Sequence, residues 1–531
     1  MKYLLLVFSA FLSQHVFAQK FKIDLVQDIN IDSFDVPNPP KILCSFNGKL
    51  ILANVQTYNG NYFLYSLDVA DSNRLELLST TLYNPSEAIV LGNQIIFSAE
   101  DLNHGLELWS SDGTASGTKL LKDIYPGKNG SNIKGLSLYN DKVYFSANDS
   151  IHGQELWHSD GSINSTLLLK DIDTGVSSSN PNNFIVYNGK LTFEAYTKNA
   201  MYQLYASNGT EAATNAFTQV QGYKDFHFVN SKLFIFNGKL YFSGFDPING
   251  DQLWSSNGTL AGTSLLKVIN TSGNSSPRDF IQFKNQLVFT ANNGTDGYEL
   301  WMSDGSANNT KALTNKNPQL FVNRPESLLV FNNYLYYSLN DGIGGFELWR
   351  TDLNSSTQTL VKDINPGVAS SYVSAPIIFK GFMVFSAVSM GDNQVWISDG
   401  TENGTRSVLF PSSNKKNPLN LQGFKFFELA NKLYFPAFYK SNVGAALYVF
   451  DIDLQSGFHS EKDAAFSVYP NPLNTEVLSF SETISGEIVN QLGQMVLLFK
   501  QSAELDLHNL TNGVYWIKTE GYKPVKMVLS R

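Results

Sequence analysis

An octet of the form Glu-Leu-Trp-x-Ser-Asp-Gly-Thr recurs along this chain, and it brings together two carboxylates, an indole and hydroxyl groups. It stands as Glu107-Leu108-Trp109-Ser110-Ser111-Asp112-Gly113-Thr114 and as Glu155-Leu156-Trp157-His158-Ser159-Asp160-Gly161-Ser162. Trp254, Trp301, Trp349 and Trp396 mark further copies, and Gln203-Leu204-Tyr205 opens another. Two kinds of chemistry suit such residues. The Asp-Gly turns suggest calcium, but that ion takes about 6–8 oxygen ligands, usually from clustered carboxylates. One aspartate per turn, replaced by Asn208 and Asn257 in two copies, fits turn geometry better. The indoles could stack on sugars, yet their place inside apolar strands points to packing between units.

The remaining reactive residues give no catalytic constellation. The histidines are His15, His104, His152, His158, His227, His459 and His508, and none has metalloprotease or zinc spacing. His104 and His152 occupy matching places before glycine in adjacent copies, as turn residues would. The single cysteine, Cys44, lies in the run Lys41-Ile42-Leu43-Cys44-Ser45-Phe46, which reads as a small buried hydrophobe. No nucleophile elbow, phosphate loop or dinucleotide fingerprint is present. Neither a cofactor nor a metal is expected, and no residue is assigned a catalytic role.

Elements that would position these residues follow from the spacing. Aromatic anchors fall at Tyr65, Trp109, Trp157, Tyr205, Trp254, Trp301, Trp349, Trp396 and Tyr448, a nearly constant step. Each unit reads as four short strands: an apolar run such as Phe184-Ile185-Val186-Tyr187, a second like Lys239-Leu240-Tyr241-Phe242-Ser243, the Trp strand, and a fourth like Leu120-Leu121-Lys122-Asp123-Ile124. Asn-Gly and Asp-Gly between β-rich runs predict two-residue hairpins with both central residues at positive φ. The charge in the fourth strand suits an outer edge. Repeated four-stranded meanders predict an all-β chain forming a β-propeller of about nine blades. The segment Asp24-Leu25-Val26-Gln27-Asp28-Ile29 looks like a fourth strand, and the last unit lacks one. Pairing the two would close a single ring, with two smaller rings as the alternative arrangement.

The ends differ from the middle. Lys2, the apolar stretch Leu4 to Leu12 and Val16-Phe17-Ala18 form a secretory signal, cleaved between Ala18 and Gln19. No later run is long and apolar enough for a membrane span, so the mature protein is expected to have no transmembrane segment. The expected organisation is a signal peptide at 1–18, the propeller at 19–456, a linker at 457–465 and a small β-sandwich at 466–531. That last segment carries Tyr469-Pro470-Asn471-Pro472, then Gly513-Val514-Tyr515-Trp516-Ile517-Lys518, then a closing strand with Lys526. It resembles the C-terminal sorting domain of type IX secretion cargo. The resemblance implies passage to the periplasm and then across the outer membrane of a Gram-negative bacterium, with the secretion machinery as a partner. The product would be released or held at the cell surface. The 100–410 region likewise resembles the ELWxxDGT repeat family of exported bacterial proteins, which implies architecture and no particular activity.

Composition narrows the function. The formal charge is −9, and arginine is confined to Arg74, Arg278, Arg324, Arg350, Arg406 and Arg531. Such a chain has no footprint for phosphate backbones, so nucleic acid is not an expected partner. Sialidase-type propellers offer an enzymatic comparison, but their turn aromatic follows the glycine, and they need an arginine cluster for a substrate carboxylate. The expectation is a non-enzymatic binding or adhesion protein for carbohydrate or another cell-surface macromolecule. Rival readings are a polysaccharide-acting hydrolase or lyase with dispersed carboxylates, and a structural component of a surface layer or matrix.

Overall fold

The computed structural model describes residues 20–27, 39–55, 61–71, 73–218, 232–246, 248–314, 324–353, 358–408, 425–440, 444–453, 468–469, 477–490, 495–519 and 525–529. They form two compact units, one of residues 22–451 and one holding the C-terminal strands. Among the described residues there is no α-helix, only a single 3₁₀ turn at Ile163–Ser165.

In the larger unit the described residues form nine four-stranded antiparallel sheets. Eight are consecutive meanders, here blades 1 to 8, spanning 41–77, 83–122, 134–170, 182–216, 234–267, 278–312, 326–362 and 374–407. Blade 3 shows the plan with strands Lys134–Tyr139, Lys142–Asn148, Gln154–Ser159 and Leu167–Lys170. Blade 9 takes three strands from 427–453 and its fourth, outermost strand from Lys20–Gln27. The fold is thus a propeller whose N-terminal strand completes the last blade.

Alternation explains why the blades stack. Leu108 and Trp109 are neighbours in one strand and point to opposite faces. Leu108 packs with Val143 and Phe145 of blade 3, whereas Trp109 packs with Phe46, Ile51 and Leu64 of blade 1. Burying a large side chain of this kind stabilises by roughly 1.5–3 kcal/mol. The same interleaving repeats around the ring. Between blades 9 and 1, Tyr434, Leu447 and Val26 join Leu50, Leu52 and Tyr65 in one core. Blade 8 meets blade 9 through the rings of Phe379 and Phe450 and through Lys380 Nζ, 2.7 Å from Asp451 Oδ1. First strands of successive blades approach one another, which places them on the inside.

The two turn types differ. First and second strands are joined by tight hairpins, in most blades with two positive-φ residues, as at Asn188 (φ 49°) and Gly189 (φ 70°). The Asp-Gly turns depart from the two-residue hairpin expected of them. Only the glycine has positive φ (Gly113, 85°), and the chain continues through a longer loop before the fourth strand starts at Lys119. The aspartate stays outside the left-handed region because its side chain organises the loop instead.

In the C-terminal unit, the strand Val477–Val489 is shared. Its first part pairs with Val468–Tyr469 and its last part with Gly513–Thr519, while Met495–Asp506 runs along it on the other side. Register breaks between Ser479 and Gly486 let both parts cover one core of Leu478, Ile488, Phe499, Tyr515, Ile517 and Met527.

Candidate binding face

The repeated octet is largely consumed by the scaffold. Trp109, Trp157, Trp301, Trp349 and Trp396 are buried, and Trp254 is half-buried. The Trp109 indole donates to the Ala99 carbonyl at 3.1 Å. None of these rings is laid open as a platform for a sugar.

The first carboxylate of the octet is also buried. Glu107 Oε2 accepts from the Ile124 amide (2.9 Å) and the Ser131 hydroxyl (2.8 Å), and its Oε1 accepts from the Tyr125 amide (3.1 Å). Glu155 accepts from the Ile172 amide and from both the amide and the hydroxyl of Ser179, and Glu347 from the Ile364 and Ser371 amides, the Ser371 hydroxyl donating instead to the Phe346 carbonyl. Each glutamate therefore ties its own third strand to the linker that leads into the next blade. In blade 5 the neutral Gln252 fills this place, accepting from the Ile269 amide and donating to the Asn249, Asn270 and Gly273 carbonyls. Burial pushes Glu107, Glu155 and Glu347 up to about 7, against the pull of their amide and hydroxyl donors.

The second half of the octet builds the loop to the fourth strand. Asp112 Oδ1 accepts from the Thr114 amide and hydroxyl, and the Ser111 hydroxyl lies 2.8 Å from that of Thr118. The Ser–Thr pair returns as Ser159–Thr166, Ser207–Thr214, Ser256–Thr263, Ser303–Thr310 and Ser398–Thr405. The turn glycine packs on the preceding blade: a Cβ on Gly305 would stand 2.6 Å from the Tyr241 hydroxyl. Lys170 of the fourth strand reaches the other way and donates to the Thr214 carbonyl of blade 4 at 2.6 Å. Sequence reasoning read that lysine only as edge charge and missed the second threonine. The signal for the latter was present, since a threonine recurs seven residues after the octet's turn serine.

What the scaffold does not use lies in the loops. Because each blade is a meander around a common axis, the hairpins between second and third strands share one face with the inter-blade linkers. Gly153 illustrates the contact, for a Cβ there would meet the Ser177 carbonyl oxygen at 2.2 Å. On this face Asp101, Asp149, Asp246 and Asp341 each accept two backbone amides within their own hairpin. His104 and His152 are held by Asp101 and Asp149 at 2.8 and 2.7 Å, a loop role that leaves each ring paired with one carboxylate. The opposite face carries the octet loops and a shallow open recess of about 420 Å³ beside Val90, Leu138, Tyr139, Asp141 and Val186.

Other expected sites fall as follows. Cys44 is half-buried, and burial pushes its thiol up to about 12, unsuited to a nucleophile at neutral pH. No group of three or more His, Cys, Asp or Glu that could hold a metal occurs among the described residues. His158 is buried beside Tyr144, which lowers its proton affinity. Ala18, Gln19, Pro470, Asn471 and Pro472 lie outside the described residues, as do His15, His227 and His459. Tyr469 sits in a short strand, and Lys526 pairs in register with Trp516. Tyr515 is buried and donates to the Thr511 carbonyl at 2.8 Å, Gly513 begins its strand opposite Leu529, and Lys518 stands 3.7 Å from Glu487.

Comparison with known proteins bears mainly on this tail. Residues 467–528 match the family described as the secretion system C-terminal sorting domain. The domain indicates export through type IX secretion, with its machinery as a partner, to the outside or the outer surface of the cell. Among the described residues no helix is long and apolar enough to cross a membrane. A search of curated proteins finds no match. Solved structures that resemble the chain include a puromycin hydrolase (11% identity, TM-score 0.34), covering 68% of this chain and 58% of the hydrolase. BamB from Moraxella catarrhalis is similar at 11% identity and TM-score 0.35, over 71% of this chain and 95% of BamB. The extracellular domain of a one-component system from B. thetaiotaomicron aligns at 10% identity and TM-score 0.33, over 91% of this chain and 73% of that one.

Proposed function

We propose that the exported product is a non-enzymatic binding or adhesion protein, displayed on the outer surface or released, with carbohydrate or another cell-surface macromolecule as its ligand. The observation that supports this reading is the division of labour within each blade. Repeated polar side chains such as Glu107, Glu155 and Glu347 are spent on joining strands and linkers. Residues that differ from blade to blade lie in hairpins and linkers, where a rigid scaffold presents them. The domain organisation goes with it: a signal ending at Ala18, the ring from Gln19 to 456, a linker at 457–465 and a sorting segment from 466.

Three experiments test the reading. Purified mature chain is placed on a glycan array and, labelled, on whole cells; saturable binding is the expected result. Turnover on a polysaccharide panel, lost on substitution of one carboxylate, would overturn it in favour of a hydrolase or lyase. Mass spectrometry of the extracellular product is expected to find neither residues 1–18 nor the segment from 466 onward.

A further inference from the structure

Several of the aliphatic side chains most open to solvent gather on one face of the ring. Ile151 (64% exposed), Ile248 (89%) and Ile343 (78%) stand at the tips of the second-to-third-strand hairpins of blades 3, 5 and 7. All three occupy the same place in an Asp-x-Ile-x-Gly loop, two residues after the aspartate. That aspartate binds the amide of the isoleucine and of the residue after it, as Asp149 does for Ile151 and His152. The loop is thus locked in the shape that holds the isoleucine outward. Val176 and Val368 are as exposed, at matching places in the linkers after blades 3 and 7. Hairpins and linkers share one face, so these five residues do too, together with Leu102 (76% exposed) in the blade 2 hairpin.

Single exposed aliphatic residues are ordinary on a protein surface, but here loop locking repeats them at one place on one face and makes them a constant property of it. Charge identifies what would cover it. In the described hairpins of blades 2 to 8, strand ends included, an aspartate occurs in six against one lysine, Lys198 of blade 4, while the described linkers hold Asp123, Asp171, Asp173 and Asp363 beside Lys128, Lys232, Arg324 and Lys425. An acidic face repels a second copy of itself and repels anionic lipid headgroups. Isolated aliphatic tips spread around a ring suit a broad surface with several shallow sockets, unlike a single small molecule. We infer that the hairpin-and-linker face is a docking surface for a cationic, apolar-studded protein surface, with Ile151, Ile248 and Ile343 as its anchors. This rests on the binding reading above and adds to it the face used and the chemistry of the partner.

The test uses the full mature chain in three forms. One is unaltered, one carries Ile151→Ser, Ile248→Ser and Ile343→Ser, and one carries Ile163→Ser and Leu260→Ser. Ile163 and Leu260 are also exposed (56% and 50%) but belong to octet loops on the opposite face. All five positions are solvent-facing, and thermal melts of the three forms are expected to coincide. The probe is an amphipathic peptide of leucine and lysine, with a leucine–glutamate peptide as its acidic counterpart. The expected result is at least tenfold tighter binding of the lysine peptide, weakened by salt, lost in the triple variant and kept in the double variant. Equal binding of both peptides, or equal loss in both variants, would overturn the inference. So would dimerisation in sedimentation, or capture by phosphatidylglycerol vesicles, that the triple variant abolishes. If glycans or cells bind the triple variant normally but not the double variant, the face is wrong while the binding reading stands. If the unaltered chain binds neither peptides nor glycans nor cells, both fail.

Discussion

At the scale of single residues, the buried glutamates make a prediction whose sign is fixed. A free glutamate titrates near 4.5, and Glu107, Glu155 and Glu347 are pushed up to about 7 in the folded chain. Between those values the folded state binds more protons than the unfolded one, so the stability these three groups contribute is fullest below about pH 4.5 and falls as pH rises toward 7. Urea midpoints at pH 5 and pH 8 are expected to differ in favour of pH 5. The triple change to glutamine should flatten that slope; an unchanged slope would mean these carboxylates are not its source. Glutamine at 155 also brings an amide NH₂ against the Ser179 amide, an expected loss of about 1–3 kcal/mol. Gly305→Ala combines positive φ with the Tyr241 hydroxyl 2.6 Å away, whereas Gly189→Ala has positive φ with nothing in reach. Denaturant melts should find the first well above the roughly 1–2 kcal/mol expected of the second. The octet was legible in the sequence, and so was the packing role read for its tryptophans. Burial of its glutamate was not, because a Glu inside a strand reads as a solvent-facing position. Interchange with Gln203 and Gln252 was the available hint, since a site used for backbone bonding tolerates that swap better than a charged surface does.

At the scale of the element, each blade is a short meander whose identity comes from alternation and turns, and both were readable. The first-to-second-strand hairpins follow Asn-Gly chemistry as expected. The Asp-Gly loops do not, because a side-chain-to-backbone bond competes with the tight hairpin and lengthens the connection. The fourth strand was the least legible. It shrinks to two residues at Asn215–Ala216, Lys311–Ala312 and Arg406–Ser407, and its lysine works between blades. Lys170→Ala is therefore expected to cost about 0.5–1.5 kcal/mol in a melt. The closing strand carries a larger prediction. Removing residues 20–27 takes Ile23 and Val26 out of a core and leaves Gly444–Asp453 as a bare edge. A lower melting temperature together with concentration-dependent association in sedimentation is expected.

At the scale of the whole molecule, ring architecture and export route were the most legible properties, for different reasons. The first rests on periodicity, which survives loss of individual motifs, as the altered turn after Trp349 shows. The second rests on a short terminal segment with its own core, distinct from the repeat. Which loops hold aliphatic tips outward was not legible, since exposure of Ile151 or Ile343 depends on how an aspartate folds the hairpin around it. Deleting 467–528 is expected to keep the chain out of the medium while leaving the propeller's β-rich circular dichroism in the retained protein.

The strand Lys20–Gln27 is made first and used last, for its partner Gly444–Asp453 belongs to the final blade. Blades 1 to 8 can form in order as they emerge, each on local contacts, but the circle shuts only by a contact spanning nearly the whole repeat. Long-range closure of this kind is slow, and until it happens blades 1 and 9 each present an unfinished flank. A chain arrested before blade 9 is therefore an open arc, and its maturity as a particle is decided in one step at the very end.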